Sequence, residues 1–117
     1  MADPMVLIIN EAPYGSEKPW NALRLANALV AIHQKPKLFL LGDAVALAKK
    51  GQQTPTGYYN LAQMLVDLIG SGVEVRVCGT CISSRGLKSE ELVDGAIVGK
   101  MLDLAHWVEE SSKVLNF

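Results

Sequence analysis

Met5-Val6-Leu7-Ile8-Ile9-Asn10 is an apolar run with no polar alternation. A strand with one wet face alternates, so a continuous run predicts a strand covered on both sides, as in the middle of a parallel sheet. Leu38-Phe39-Leu40-Leu41 is a second short run of this kind, and Val73 to Cys78 a third strand. Between them lie segments at helical spacing. Trp20 to Ile32 is rich in strong helix formers and apolar nearly all round, which predicts burial against more than one neighbour. Ser16 can cap it, with Pro19 in its first turns. Tyr58 to Ile69 carries Tyr58, Leu61, Leu65 and Leu68 at helical intervals and is closed by Gly70-Ser71-Gly72.

Asp43 reads as the cap of helical turns over Ala44 to Lys50, and Gln52 to Gly57 as a mobile loop. After the third strand, Ser89 to Leu92 can form only a short turn, and Gly95 to Gly99 a brief strand. Lys100 to Glu110 returns to helical spacing through Met101, Leu104, Ala105 and Val108, and Lys113 to Phe117 is a terminal strand. Strands alternating with helices predict one α/β domain over residues 1–117. Its architecture is a three-layer α/β/α sandwich around a mostly parallel sheet of four or five strands, because parallel neighbours need crossover connections. Functional groups in such sheets gather outside the carboxyl ends of the strands. Glu11, Asp43 and Cys78 fall at those ends.

Composition narrows the function classes. The chain has 117 residues, half of them hydrophobic and 20% charged, a surplus of apolar surface that favours a homo-oligomer. Eleven basic residues against 12 acidic ones, scattered along the chain, give no phosphate-tracking surface and argue against direct nucleic-acid binding. No apolar run approaches the ~20 residues of a membrane span. The opening Met1-Ala2-Asp3-Pro4 lacks the basic-then-apolar plan of a signal peptide. The expected location is the cytoplasm, where closely spaced thiols are more often reactive or metal-binding than structural.

The two cysteines stand in Cys78-Gly79-Thr80-Cys81. A thiol at a strand's carboxyl end, facing free backbone amides, sits where a thiolate is favoured, and Arg85 nearby would lower its pKa. Cys78 can equally be a small hydrophobe filling core space. Cys81 could bridge to it or resolve its oxidation. A closed zinc site needs four ligands, and His33 and His106 lie far off in two helices, so neither metal nor cofactor is expected. Ser83 and Ser84 have no base nearby in sequence, and Glu11 can serve as a rim base or a cap.

The Asn10-Glu11-Ala12-Pro13-Tyr14-Gly15-Ser16 loop, Val77-Cys78 followed eight residues later by Gly86, the Asp94-Gly95 turn and the closing Lys113-Val114-Leu115-Asn116-Phe117 strand resemble the DsrE/DsrF-like sulfur-relay family end to end. The resemblance is nearest to its YchN-like branch, which shares the Ala-Pro-Tyr-Gly-Ser loop and the Cys-x-x-Cys pair. It implies a three-layer fold, hexameric assembly, and a cysteine that accepts sulfur as a persulfide from a donor protein and hands it to an acceptor. Cys78 matches that cysteine. Cys81 departs from the relay subunits, where a small apolar residue is usual. Gly79, Thr80 and Arg85 would then stabilise the persulfide anion, and Glu11 and Tyr14 would line its pocket. Two other readings remain open: a dithiol oxidoreductase using Cys78 and Cys81, and a non-catalytic binding module.

Overall fold

The computed structural model describes residues 4–117. The opening segment discussed above as lacking a signal-peptide plan therefore lies, but for Pro4, outside the described residues. Five strands, β1 (Met5–Ile9), β2 (Lys37–Leu40), β3 (Val75–Cys78), β4 (Ala96–Gly99) and β5 (Lys113–Asn116), form one sheet in the order β4-β3-β2-β1-β5. Every pairing is parallel. Four α-helices connect them: α1 (Lys18–Ala31), α2 (Leu61–Gly70), α3 (Gly79–Ser84) and α4 (Met101–Glu110). Two 3-10 segments, Gly42–Ala48 and Ser89–Glu91, complete the connections.

The order explains the layers. The chain steps from β1 to β2 to β3 in one direction, so right-handed crossovers place α1 and α2 on one face. From β4 it returns across the whole sheet to β5, which puts α4 on the other. Leu7, Ile9, Leu38, Leu40, Val75 and Val77, one face by register, are all closed off from solvent under the first pair of helices. The opposite face carries Val6, Phe39 and Arg76. Trp107 of α4 meets it edge-on to Phe39, with ring centroids 5.8 Å apart, and Lys37 and Arg76 lie 5.2 and 5.4 Å from the Trp107 ring centroid. Such an aromatic pair adds roughly 0.5–1.5 kcal/mol beyond the area it buries.

The helix α1 meets two neighbours, β1 and α2, as its wide apolar surface predicts; Pro19, Ala22, Leu23 and Ala26 are its buried residues, while Ile32 lies beyond its end and is exposed. Its small alanines let the backbone approach the sheet. Several local expectations change. Glu17 takes the cap position, and the Ser16 hydroxyl accepts from the Lys18 amide at 3.1 Å. Tyr58 lies outside α2 because Asn60 caps that helix, accepting from the Gln63 amide at 3.0 Å. The buried stripe of α4 is Leu104 and Trp107; Met101 and Val108 face outward. Leu41, not Asp43, caps the first 3-10 segment.

The segment after Gly51 is anchored by Gln52, whose side-chain amide donates to the carbonyls of Ala46, Leu47 and Lys49 at 3.0–3.1 Å. Its carbonyl oxygen accepts from the Tyr14 hydroxyl at 2.6 Å and the Ala62 amide at 3.2 Å. One half-buried glutamine at the start of this loop thus ties it to the 3-10 segment before it, to the first rim loop and to α2.

The turn into β4 needs a glycine. Gly95 has φ +91°, and a Cβ there would stand 2.6 Å from Cγ2 of Ile69. Gly95→Ala is expected to destabilise the protein by about 1–3 kcal/mol through backbone strain and overpacking, as read from the midpoint of urea unfolding. An unchanged midpoint would contradict this packing.

Candidate functional site

No loop separates β3 from α3: the strand ends at Cys78 and the helix starts at Gly79. The close turn is possible because Gly79 has no side chain. A Cβ there would lie 3.1 Å from Cγ1 of Val98 and 3.4 Å from the Gly99 carbonyl. Cys78 caps the helix with its own sulfur, which accepts from the Cys81 amide at 3.3 Å. The Thr80 hydroxyl lies 3.3 Å from the same sulfur. One turn on, Cys81 brings its sulfur back, and the two residues, with Cα atoms 5.2 Å apart, form a disulfide.

The two sulfurs have unlike surroundings. Cys78 is 6% exposed and lies against an open cleft of about 720 Å³. Cys81 is half-buried, lines no part of that cleft, and accepts from the Gly42 amide at 3.3 Å. Gly79 and Thr80 share the floor with Cys78, and Ile82, Leu87, Val98 and Met101 form apolar walls. Ser83, Lys88, Ser89 and Lys100 are the polar and basic residues of the lining. The second strand of the cleft comes from register: Cys78 pairs with Gly99, so the residues that follow β4 stand beside those that follow β3.

Not all the expected site residues converge. The Arg85 guanidinium binds the Asp43 carboxylate at 2.8 and 3.0 Å and donates to the Cys81 carbonyl at 3.1 Å and the Ser84 hydroxyl at 3.2 Å. It closes the C-terminal end of α3, and its charge is matched by Asp43 instead of being turned to Cys78. The amide on the Cys78 sulfur is that of Cys81, not of Gly79 or Thr80. Tyr14 stands apart from the cleft: its hydroxyl, besides binding Gln52, accepts from the Leu61 amide at 3.0 Å and so holds the first rim loop to α2. Glu11 is half-buried at the end of β1 and does not line the cleft.

Lys88, Ser89, Val98, Lys100 and Met101 were missed from sequence. The rule that sites collect beyond the strands' carboxyl ends covers Lys100 and Met101, just after β4, but only the pairing of β4 with β3 places them beside Cys78. Among the described residues no group of three or more His, Cys, Asp or Glu could hold a metal ion. No helix there is long and apolar enough to cross a membrane.

The cleft's lip is held by Asp103. Its carboxylate accepts from the Lys100 amide at 2.8 Å and lies 3.3 Å from the Arg76 guanidinium. Hydrogen bonding to the Lys100 backbone, aided by the Arg76 charge, holds its pKa below the usual carboxylate value.

A family model described as the DsrE/DsrF-like family matches residues 3–117. Protein YchN of Escherichia coli K12 is 42% identical over 115 residues, covering 97% of each chain. An uncharacterised protein of Methanopyrus kandleri is 40% identical over 115 residues, covering 98% of this chain and 94% of its own. The crystal structure of the E. coli YchN protein superposes with a TM-score of 0.93 at 41% identity, covering all of both chains.

Because the Asp103 pKa is lowered on folding, its contribution is present above the unfolded value of about 3.9 and is lost as pH falls through the lower folded midpoint. An NMR titration is expected to place the Asp103 midpoint below that of an exposed aspartate. Asp103→Asn should lessen the loss of stability on acidification; an ordinary midpoint with an unchanged acid limb would refute the contact's role.

Proposed function

Because this chain belongs to the DsrE/DsrF-like family, we propose that it is a small cytoplasmic sulfur-relay protein that carries sulfane sulfur as a persulfide on Cys78. The observation that carries this reading is the asymmetry of the cysteine pair: one sulfur meets the cleft while the other is turned toward the Gly42 amide. In the loading step the Cys78 thiolate attacks the terminal sulfur of a donor persulfide, R–S–SH. The donor's S–S bond breaks, RS⁻ leaves, and Cys78–S–SH remains, with no net oxidation. An acceptor thiolate can take the outer sulfur in the same way and restore the Cys78 thiolate.

Cys81 offers a second exit. Its thiolate attacks the Cys78 sulfur, HS⁻ departs, and the Cys78–Cys81 disulfide forms. Two equivalents of a thiol then return both cysteines to the reduced state and become a disulfide themselves. The Cys81 amide and the Thr80 hydroxyl favour negative charge on the Cys78 sulfur, and the Gly42 amide favours it on Cys81. The partners of this reading are a sulfur donor and an acceptor. A homo-oligomer, hexameric by resemblance, is supported by exposed Ile97, Leu102, Val108 and Val114 along β4, α4 and β5.

The disulfide itself favours a second reading, a dithiol oxidoreductase in which both cysteines are required. Reduced protein incubated with a persulfide donor and weighed intact separates the two. The relay reading expects one added sulfur on wild type and on Cys81→Ser, and complete loss of loading in Cys78→Ser. Equal addition to Cys78→Ser, or none to wild type, would refute it. Reversible thiol oxidation lost in both single variants, without sulfur loading, would favour the oxidoreductase.

A further inference from the structure

We propose that the cleft over Cys78 binds a small organic sulfur compound bearing a carboxylate, so that the sulfur donor is a low-molecular-weight anionic persulfide. The assignment of the ligand as a donor rests on the persulfide reading above, whereas the cleft's selection of an organic anion rests on its own walls. Its volume of about 720 Å³ lies within the ~300–1,000 Å³ of sites that enclose whole small molecules. A lone hydrosulfide would fill a small part of it. The apolar walls of Ile82, Leu87, Val98 and Met101 fit a hydrocarbon body.

The charge on the lining has one sign. Lys88 and Lys100 contribute ammonium groups, and no lining residue is acidic. The two carboxylates that accept from the backbone amides of these lysines are turned to other cations. Glu91 accepts from the Lys88 backbone amide at 2.9 Å and pairs with Lys49 at 3.8 Å. Asp103 accepts from the Lys100 backbone amide and pairs with Arg76. Among the described residues the direct ion pairs use Lys49, Arg76 and Arg85 and not Lys88 or Lys100; the Lys100 charge acts on Asp103 only at longer range, so an anion in the cleft would meet two ammoniums with no salt-bridge partner.

A ligand held by its carboxylate at the lysines and by its body on the apolar wall would present its sulfur to the floor. For R–S–SH, attack by the Cys78 thiolate on the outer sulfur forms Cys78–S–SH and releases R–S⁻. All atoms are conserved and no oxidant is needed.

The cleft can be tested without sulfur transfer. Amide NMR of the disulfide-bonded wild-type protein is titrated with S-methyl-N-acetylcysteine, an unreactive carboxylate, and with its neutral amide. Shifts at Ser83, Lys88, Gly99 and Lys100 are expected, with the carboxylate binding about tenfold more tightly than the amide, the effect of two partly exposed ion pairs. The double variant Lys88→Gln, Lys100→Gln should lose that preference while keeping the amide's affinity. Equal affinities in wild type, shifts confined to other parts of the protein, or a preference unchanged in the double variant would overturn the inference.

A loading assay with N-acetylcysteine persulfide and its amide then distinguishes the two claims. Faster loading of Cys78 from the carboxylate form supports the donor class. Loading at equal rates would leave the persulfide function standing and overturn this choice of donor. Selective binding without any loading of Cys78 would overturn both the donor assignment and the persulfide reading beneath it.

Discussion

The parallel pairing of β3 with β4 sets the geometry of everything at the rim. With Cys78 opposite Gly99, both strands end level, and the chain leaves each of them directly into a helix or its cap. Two segments about 20 residues apart in sequence therefore stand side by side, which is how a cleft forms over a cysteine that is itself buried. The pairing tolerates little side-chain bulk. Gly79 lies against Val98 and the Gly99 carbonyl, and a Cβ on Gly99 would meet Cδ of Arg76 at 3.2 Å and Oδ2 of Asp103 at 3.4 Å. Larger residues at either position would push the strand ends apart and open the floor under the cysteine pair.

The two faces of the sheet are unequally covered, and the inequality has a topological cause. Two crossovers in one direction stack α1 and α2 on one face, while the single return from β4 to β5 leaves α4 to cover the other. Trp107 compensates by size: it packs on Phe39 and lies beside Lys37 and Arg76. The same helix carries Asp103 at its first turn, so the element that covers the sheet also fixes the cleft's lip. Packing and site geometry are coupled through α4.

Electrostatics near the cysteines is divided among short bonds instead of one large charge. Arg85 is matched by Asp43 and holds the end of α3, while the sulfurs are served by backbone amides and a hydroxyl. A thiolate stabilised by fixed dipoles keeps its surroundings when it passes to a persulfide or a disulfide, because no counter-ion has to be displaced. Lys88 and Lys100 line the same cleft, and among the hydrogen bonds of the described residues none joins them to either sulfur.

The sequence by itself determined the α/β class. Unbroken apolar runs at Met5–Ile9 and Leu38–Leu41 require cover on both sides, and glycine and proline mark the gaps between helical and extended periods; these are local properties of the chain. It also named the cysteine pair, since three residues' separation is a local fact. Tertiary structure alone decided that Trp107 and not Met101 anchors α4, that Arg85 meets Asp43, 42 residues away, and that Gln52 accepts from the Tyr14 hydroxyl, 38 residues away. Lys88 and Lys100 joined Cys78 for the same reason. Each of these depends on strand order and register, which arise from contacts between distant segments and leave no trace in the spacing of neighbouring residues.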